Sequence, residues 1–170
     1  GGTSWDDDVY TSRRATQAST GQASMAYHAS VASGQVAAEV HDSMNPAKMK
    51  NGKRESRDSV EHPLPVPIFV GLDVTGSMAK TPAQVQAALP QLMGLLLKQG
   101  FVTDPSICVA AIGDAVSDNA PLQVGQFEAG IAIDNDIANI YMEGNGGGND
   151  HESYDLALLF LARCVVTDAW

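Results

Sequence analysis

Residues 68–80, IFVGLDVTGSMAK, decide how this chain is read. Ile68 to Leu72 form a short apolar run without alternation, the pattern of a strand covered on both faces. The run ends on a carboxylate, Asp73, and two hydroxyls follow at alternate positions, Thr75 and Ser77, around Gly76. Oxygen side chains spaced i, i+2 and i+4 on a tight turn can converge on one point. One carboxylate and two hydroxyls are hard ligands, suited to Mg²⁺ or Mn²⁺ and poor for soft metals. The same residues also fit a structural role, in which Thr75 and Ser77 cap the next helix and Asp73 accepts backbone N–H groups.

The flanking sequence supplies the frame. TPAQVQAALPQLMGLLLKQG, residues 81–100, predicts a helix with Thr81 as N-cap, Pro82 at its first position and Gly100 closing it. Val85, Leu89, Leu92, Leu96 and Leu97 mark its apolar face, and Pro90 should kink it. PSICVAAIG, from residue 105, reads as a second strand buried on both faces, and APLQVGQFE, from residue 120, as an edge strand. IAIDNDIANIYMEG reads as a short helix, GNGGGND as a glycine-rich loop, and ESYDLALLFLAR as a helix with Tyr154, Leu158 and Leu161 on one stripe. Strands alternating with helices imply an α/β, Rossmann-like, mostly parallel sheet with helices on both faces. Ligands of such sheets bind beyond the carboxyl ends of the strands. Asp73 stands at that end of the first strand, and Asp114 at that end of the second.

In this context the motif resembles the metal-ion-dependent adhesion site of von Willebrand factor A domains, whose signature is Asp-x-Ser-x-Ser. Asp73 matches the Asp, and Thr75 and Ser77 match the two Ser. The Asp-x-Thr-Gly-Ser-Met form is similar to intracellular bacterial and phage-type members. The resemblance covers residues 66–163 and extends to the antiparallel edge strand. It implies that the two hydroxyls bind the cation directly, that the Asp acts through water, and that a partner's Asp or Glu completes the coordination. A second loop of the family supplies a Thr after paired glycines. Here GGGNDHES holds none, so Asn149, Asp150, His151 or Glu152 would have to substitute, with Asp114 assisting from behind. A third loop supplies an Asp. CVVTDAW offers Asp168, but it is expected to continue the preceding helix, leaving a C-terminally incomplete domain.

Other chemistries fit less well. Haloacid-dehalogenase-type phosphatases place a second Asp where Thr75 stands. A hydrolase elbow needs Gly-x-Ser-x-Gly, which TGSMA lacks. The glycine-rich loop carries no Lys for a phosphate cradle. The histidines show no zinc spacing, and His28, His41 and His62 are expected to face solvent. Cys108 and Cys164 sit in apolar runs and read as buried reduced thiols. A metal-dependent phosphohydrolase is therefore the weaker enzyme alternative, and a metal-free scaffold the main non-enzymatic one.

The chain has 170 residues and a net charge of −10. Residues 1–62 hold 8 acids and 7 bases, whereas 63–170 hold 12 acids and 3 bases. Such acidity argues against nucleic-acid binding, which requires basic surface to neutralise phosphates. The longest apolar run, around LMGLLL, is far short of the roughly 20 residues that span a bilayer. The expectation is a cytoplasmic, non-enzymatic interaction module in two parts. Residues 1–62 form an extension, with a helix over 35–43 from Val36, Val40 and Met44 and a polar linker at KMKNGKRESRDS. Residues 63–170 form the domain.

Overall fold

The computed structural model describes residues 7–19, 25–74, 80, 84–85, 87–88, 92, 95–96, 99, 101–143 and 153–168. In chain order they form α1 (Asp7–Ser19), α2 (Ala26–Ala32), β1 (Arg54–Ser56), β2 (Val66–Asp73), β3 (Pro105–Ile112), β4 (Leu122–Val124), α3 (Ile133–Ala138), α4 (Tyr154–Cys164) and β5 (Val165–Thr167). Short 3-10 turns occupy Asp42–Met44, Pro46–Lys48 and Lys50–Gly52. The described residues within 84–96 are helical.

The two apolar runs pair as their composition requires. β2 and β3 lie parallel along their whole length, from Val66 opposite Pro105 to Asp73 opposite Ile112. β3 is buried at every position, which is why its sequence shows no alternation. β4 adds antiparallel to its other side, giving the order β2-β3-β4. Helices cover both faces. Ile68, Val70, Leu72, Val109 and Ala111 share a core cluster with α3, and Val85, Leu92 and Leu96, from the described helical residues between 84 and 96, pack against it. Phe69, Cys108, Ala110 and Ile112 face α4. The fold is thus mixed α/β, with a parallel strand pair and an antiparallel edge as the sequence reading expects. Leu89, Pro90 and Leu97 lie outside the described residues.

The edge strand carries a bulge. Ala110 faces Val124, but Ile107 faces Glu128, so the edge has one residue more than β3 over this span. Gly125 sits at the bulge because a methyl there would meet the Asp136 carboxylate at 2.5 Å. That carboxylate accepts the Gln126 N–H at 2.9 Å. Burial raises the Asp136 carboxyl from 3.8 to about 6, with Glu128 adding to the rise and the Gln126 N–H opposing it. The unfolded carboxyl therefore loses its proton first, and folding takes up a proton between those values. This contribution is most favourable below the unfolded value and is lost as pH rises through about 6. Asp136→Asn keeps an acceptor for Gln126 and should remove a loss on the order of 2 kcal/mol. Urea midpoints measured across mildly acidic pH check this. An undiminished slope in the variant would assign the effect to other carboxyls.

Several expectations are corrected. No helix spans 35–43. α2 ends earlier, at Ala32, and Gly34 just beyond its cap, with a φ of +73°, turns the chain out of the helix. Val36 is exposed, whereas Met44 is completely buried against Leu72, Ile107 and Ile133. The stretch read as a polar linker holds β1, and Met49 within it is buried. Two of its bases hydrogen-bond backbone carbonyls: Arg54 donates to Val124 at 2.7 Å and to Ser43, and Lys53 donates to Arg163. The polar composition concealed that docking. Residues 165–168 do not continue a helix. α4 stops at Cys164, and the β-branched run Val165–Thr167 becomes β5, parallel to β1. The stripe of α4 is also rotated. Ala157 and Phe160 are buried, while Tyr154 and Leu158 are exposed. Both sets recur at three- and four-residue steps, so periodicity alone does not choose between them.

Candidate functional site

The β2–β3 register brings two acids to one edge of the sheet. Asp73 closes β2 opposite Ile112, and Asp114 follows two residues beyond Ile112. Both therefore lie at the carboxyl ends of neighbouring parallel strands. Asp73 is half-buried. Beyond it, the buried Val74 donates its N–H to the Ile112 carbonyl at 3.2 Å, so the pairing continues into the turn.

Asp114 is 5% exposed and builds a tight acidic turn. Its Oδ1 accepts the Val116 N–H at 2.8 Å, and its Oδ2 accepts the Ser117 hydroxyl at 2.8 Å. Asp118 reaches back to accept the Asp114 N–H at 2.9 Å. Gly113 makes this possible, because a Cβ there would lie 2.5 Å from Asp118 Oδ2. The carboxylate that the sequence nominated as an assistant is thus preorganised by its own loop.

A residue outside the nominated set joins this edge. Ser153 donates its N–H to the Gly113 carbonyl at 3.1 Å, and its hydroxyl accepts the Ala115 N–H at 2.9 Å. It precedes α4 as an N-cap residue would, yet makes no side-chain cap bond to that helix. Its hydroxyl ties the start of α4 to the Asp114 turn instead. A serine before an apolar helical run is legible in sequence. That it would bond a distant loop is not.

The remaining nominated residues divide in two ways. Thr75, Ser77, Asn149, Asp150, His151 and Glu152 lie outside the described residues. Asp168 is described, and it is engaged elsewhere. It holds the Arg57 guanidinium at 2.7 Å and the Asp58 N–H at 3.2 Å, contacts that keep its carboxyl below the usual range. Since β5 pairs with β1 and not with β2, strand pairing does not carry Asp168 to Asp73. Among the described residues, no three His, Cys, Asp or Glu side chains gather as a metal cluster. An oxygen site at Asp73 would depend on its neighbouring hydroxyls.

The histidines depart from expectation. None of His28, His41 and His62 is fully exposed. His28 stacks on Tyr141 at 6.1 Å, His41 meets Tyr27 edge-on at 4.7 Å, and His62 pairs with Asp104 at 2.6 Å. Both cysteines are free thiols, but only Cys108 is buried, its pKa pushed up to about 12 by desolvation, whereas Cys164 is half-buried. No helix among the described residues is long and apolar enough to cross a membrane. No family model, curated protein or solved structure matches the chain.

Proposed function

We propose that this chain is a protein-interaction module on a von Willebrand A-like frame. In this reading Asp73, Thr75 and Ser77 hold Mg²⁺ or Mn²⁺, and an Asp or Glu of a partner protein completes the coordination. The observation supporting it is the parallel register that sets Asp73 and Asp114 at the carboxyl edge of adjacent strands, where open α/β sheets take ligands. The donor chemistry fits a hard divalent cation: one carboxylate and two hydroxyls, all oxygen. When bound, the ion would supply positive charge to a chain whose net charge is −10, giving an acidic partner group a place to dock. Asp114 would act indirectly, by stiffening the neighbouring turn. Asn149 and Asp150 remain the candidates for the second-loop position, in the segment that precedes Ser153 in the sequence.

Three ligands with a single charge leave much of a divalent charge unmatched, so binding by the free protein should be weak. Titration calorimetry with Mg²⁺ and Mn²⁺ tests the reading. Wild type should bind, Asp73→Ala should not, and Ser77→Ala should bind less tightly, with near-UV circular dichroism unchanged in each. Equal heats from folded wild type and Asp73→Ala would reduce the turn to a helix cap on a metal-free scaffold. Cation-dependent hydrolysis of a phosphomonoester, lost in Asp73→Ala, would favour the phosphohydrolase alternative instead.

A further inference from the structure

The opposite end of the sheet holds a second, unrelated cleft. From Pro67, which pairs with Ser106, to Asp73 is about 20 Å of strand. At that far end, the segment 55–65 and the bulged edge 126–129 enclose a cleft of about 350 Å³, with Ser106 on its floor. Its walls are held in place. Ser59 and His62 bond each other's main chain, with Ser59 N–H to the His62 carbonyl at 2.8 Å and His62 N–H to the Ser59 hydroxyl at 2.9 Å. On the other side, Glu128 exchanges both backbone hydrogen bonds with Ile107, at 2.8 and 3.0 Å.

What lines the cleft is poorly satisfied by the protein itself. Ser56 is 2% exposed and its hydroxyl has no hydrogen-bond partner among the described residues. His62 Nε2 is buried and also has none. Since His62 Nδ1 lies 2.6 Å from the Asp104 carboxylate, an acceptor, Nδ1 carries a proton, and a ring holding that proton alone offers Nε2 as an acceptor. Glu128 is half-buried, and no ion pair or side-chain hydrogen bond neutralises it among the described residues. The cleft's cation, Arg57, is spent on Asp168 at 2.7 Å and Glu55 at 3.4 Å. Burial raises the Glu128 carboxyl, as expected for a charge whose counterion is absent. Buried polar groups are ordinarily paired, and several unpaired ones lining one cavity call for a ligand that pairs them.

We infer that this cleft binds a primary alkylammonium group, with Glu128 as its counterion and Ser56 and His62 as hydrogen-bond acceptors. An ammonium carries three donors and no acceptor, the complement of such a lining. An anion would meet Glu55, Glu61 and Glu128 in the walls. A divalent metal would need a cluster of ligating groups, which the described residues do not form. The ammonium can come from a small free diamine or from a lysine side chain of another protein.

Titrations of the full chain with diaminobutane, with an acetylated and amidated lysine tripeptide, and with butanediol as the uncharged control test this by calorimetry and amide shifts. At least one amine should bind in the millimolar range or tighter, and the diol should not. Binding by diaminobutane identifies the free amine as sufficient, and binding by the tripeptide alone identifies the protein-borne lysine. Glu128→Gln, which keeps shape and backbone bonds, should weaken binding by about tenfold or more. Ser56→Ala should weaken it less, while leaving the unfolding midpoint unchanged or raised, because the hydroxyl it removes is buried without a partner among the described residues. Absence of binding by either amine, equal binding of the diol, or unaltered affinity in folded Glu128→Gln would each overturn the assignment. None of these outcomes bears on the Asp73 turn, whose test uses inorganic cations.

Discussion

Met44→Ala should destabilise the fold by about 2–5 kcal/mol, the range for truncating a fully buried large apolar side chain. Met44 has 0% exposure and packs among Leu72, Val74, Ile107 and Ile133, which belong to the central strands and α3. Its position is set by a 3-10 turn over Asp42–Met44, begun by His41, whose Nδ1 accepts the Ser43 N–H at 3.2 Å. Truncation would leave a cavity between that turn and the strand that carries Asp73. Val36→Ala is the matched control. Val36 precedes Met44 by two helical turns in the sequence pattern, but it is 41% exposed, so its loss should cost at most about 0.5 kcal/mol. Urea unfolding of both variants decides the matter. Similar small losses would mean that residues 25–56 are an appendage, and that the sheet holds its core without them.

Gln123→Ala should be nearly as damaging, for a different reason. Gln123 lies in the middle of β4, is 0% exposed, and uses its side-chain amide as a strand would use its backbone. Its Nε2 donates to the Tyr141 carbonyl at 2.7 Å, and its Oε1 accepts the Tyr141 N–H at 2.8 Å. Truncation strands both buried groups, at about 1–3 kcal/mol each. Gln123→Glu should not rescue, since a carboxylate can accept from Tyr141 N–H but cannot donate to its carbonyl. Hydrogen exchange gives the specific readout: the Tyr141 amide should lose protection before the β3 amides do. If Tyr141 stays as protected in Gln123→Ala as in wild type, the side-chain ladder is not what closes this edge.

Gln123 also shows where pattern reading stops. PLQVGQF reads as an edge strand, and the strand is there, antiparallel as expected. Alternation would have turned the glutamine outward. It faces inward because residue 141 offers a backbone donor and acceptor that no nearby sequence announces. The three remote contacts of Arg54, Lys53 and Ser153 share that character, since each is a polar side chain bonded to the backbone of a segment far along the chain.

Local composition was enough to locate strands in IFVGLD and PSICVAAIG, the apolar face at Val85, Leu92 and Leu96, a helix in ESYDLALLFLAR, and Asp73 and Asp114 at one edge. Each of these follows from a run long enough, or periodic enough, for burial to dominate, and parallel pairing follows from the intervening helix. Tertiary structure decided the rest. It chose which stripe of α4 to bury, sent residues 165–167 to pair with 54–56, and drew Met49 from a polar-looking segment, and Met44 without the expected helix, into the core. It also assembled the Ser56, His62 and Glu128 cleft from segments some 70 residues apart. The physical reason is common to all of these. Short segments carry too little burial to specify themselves, so their conformation is set by partners that lie nearby in space and far away in sequence.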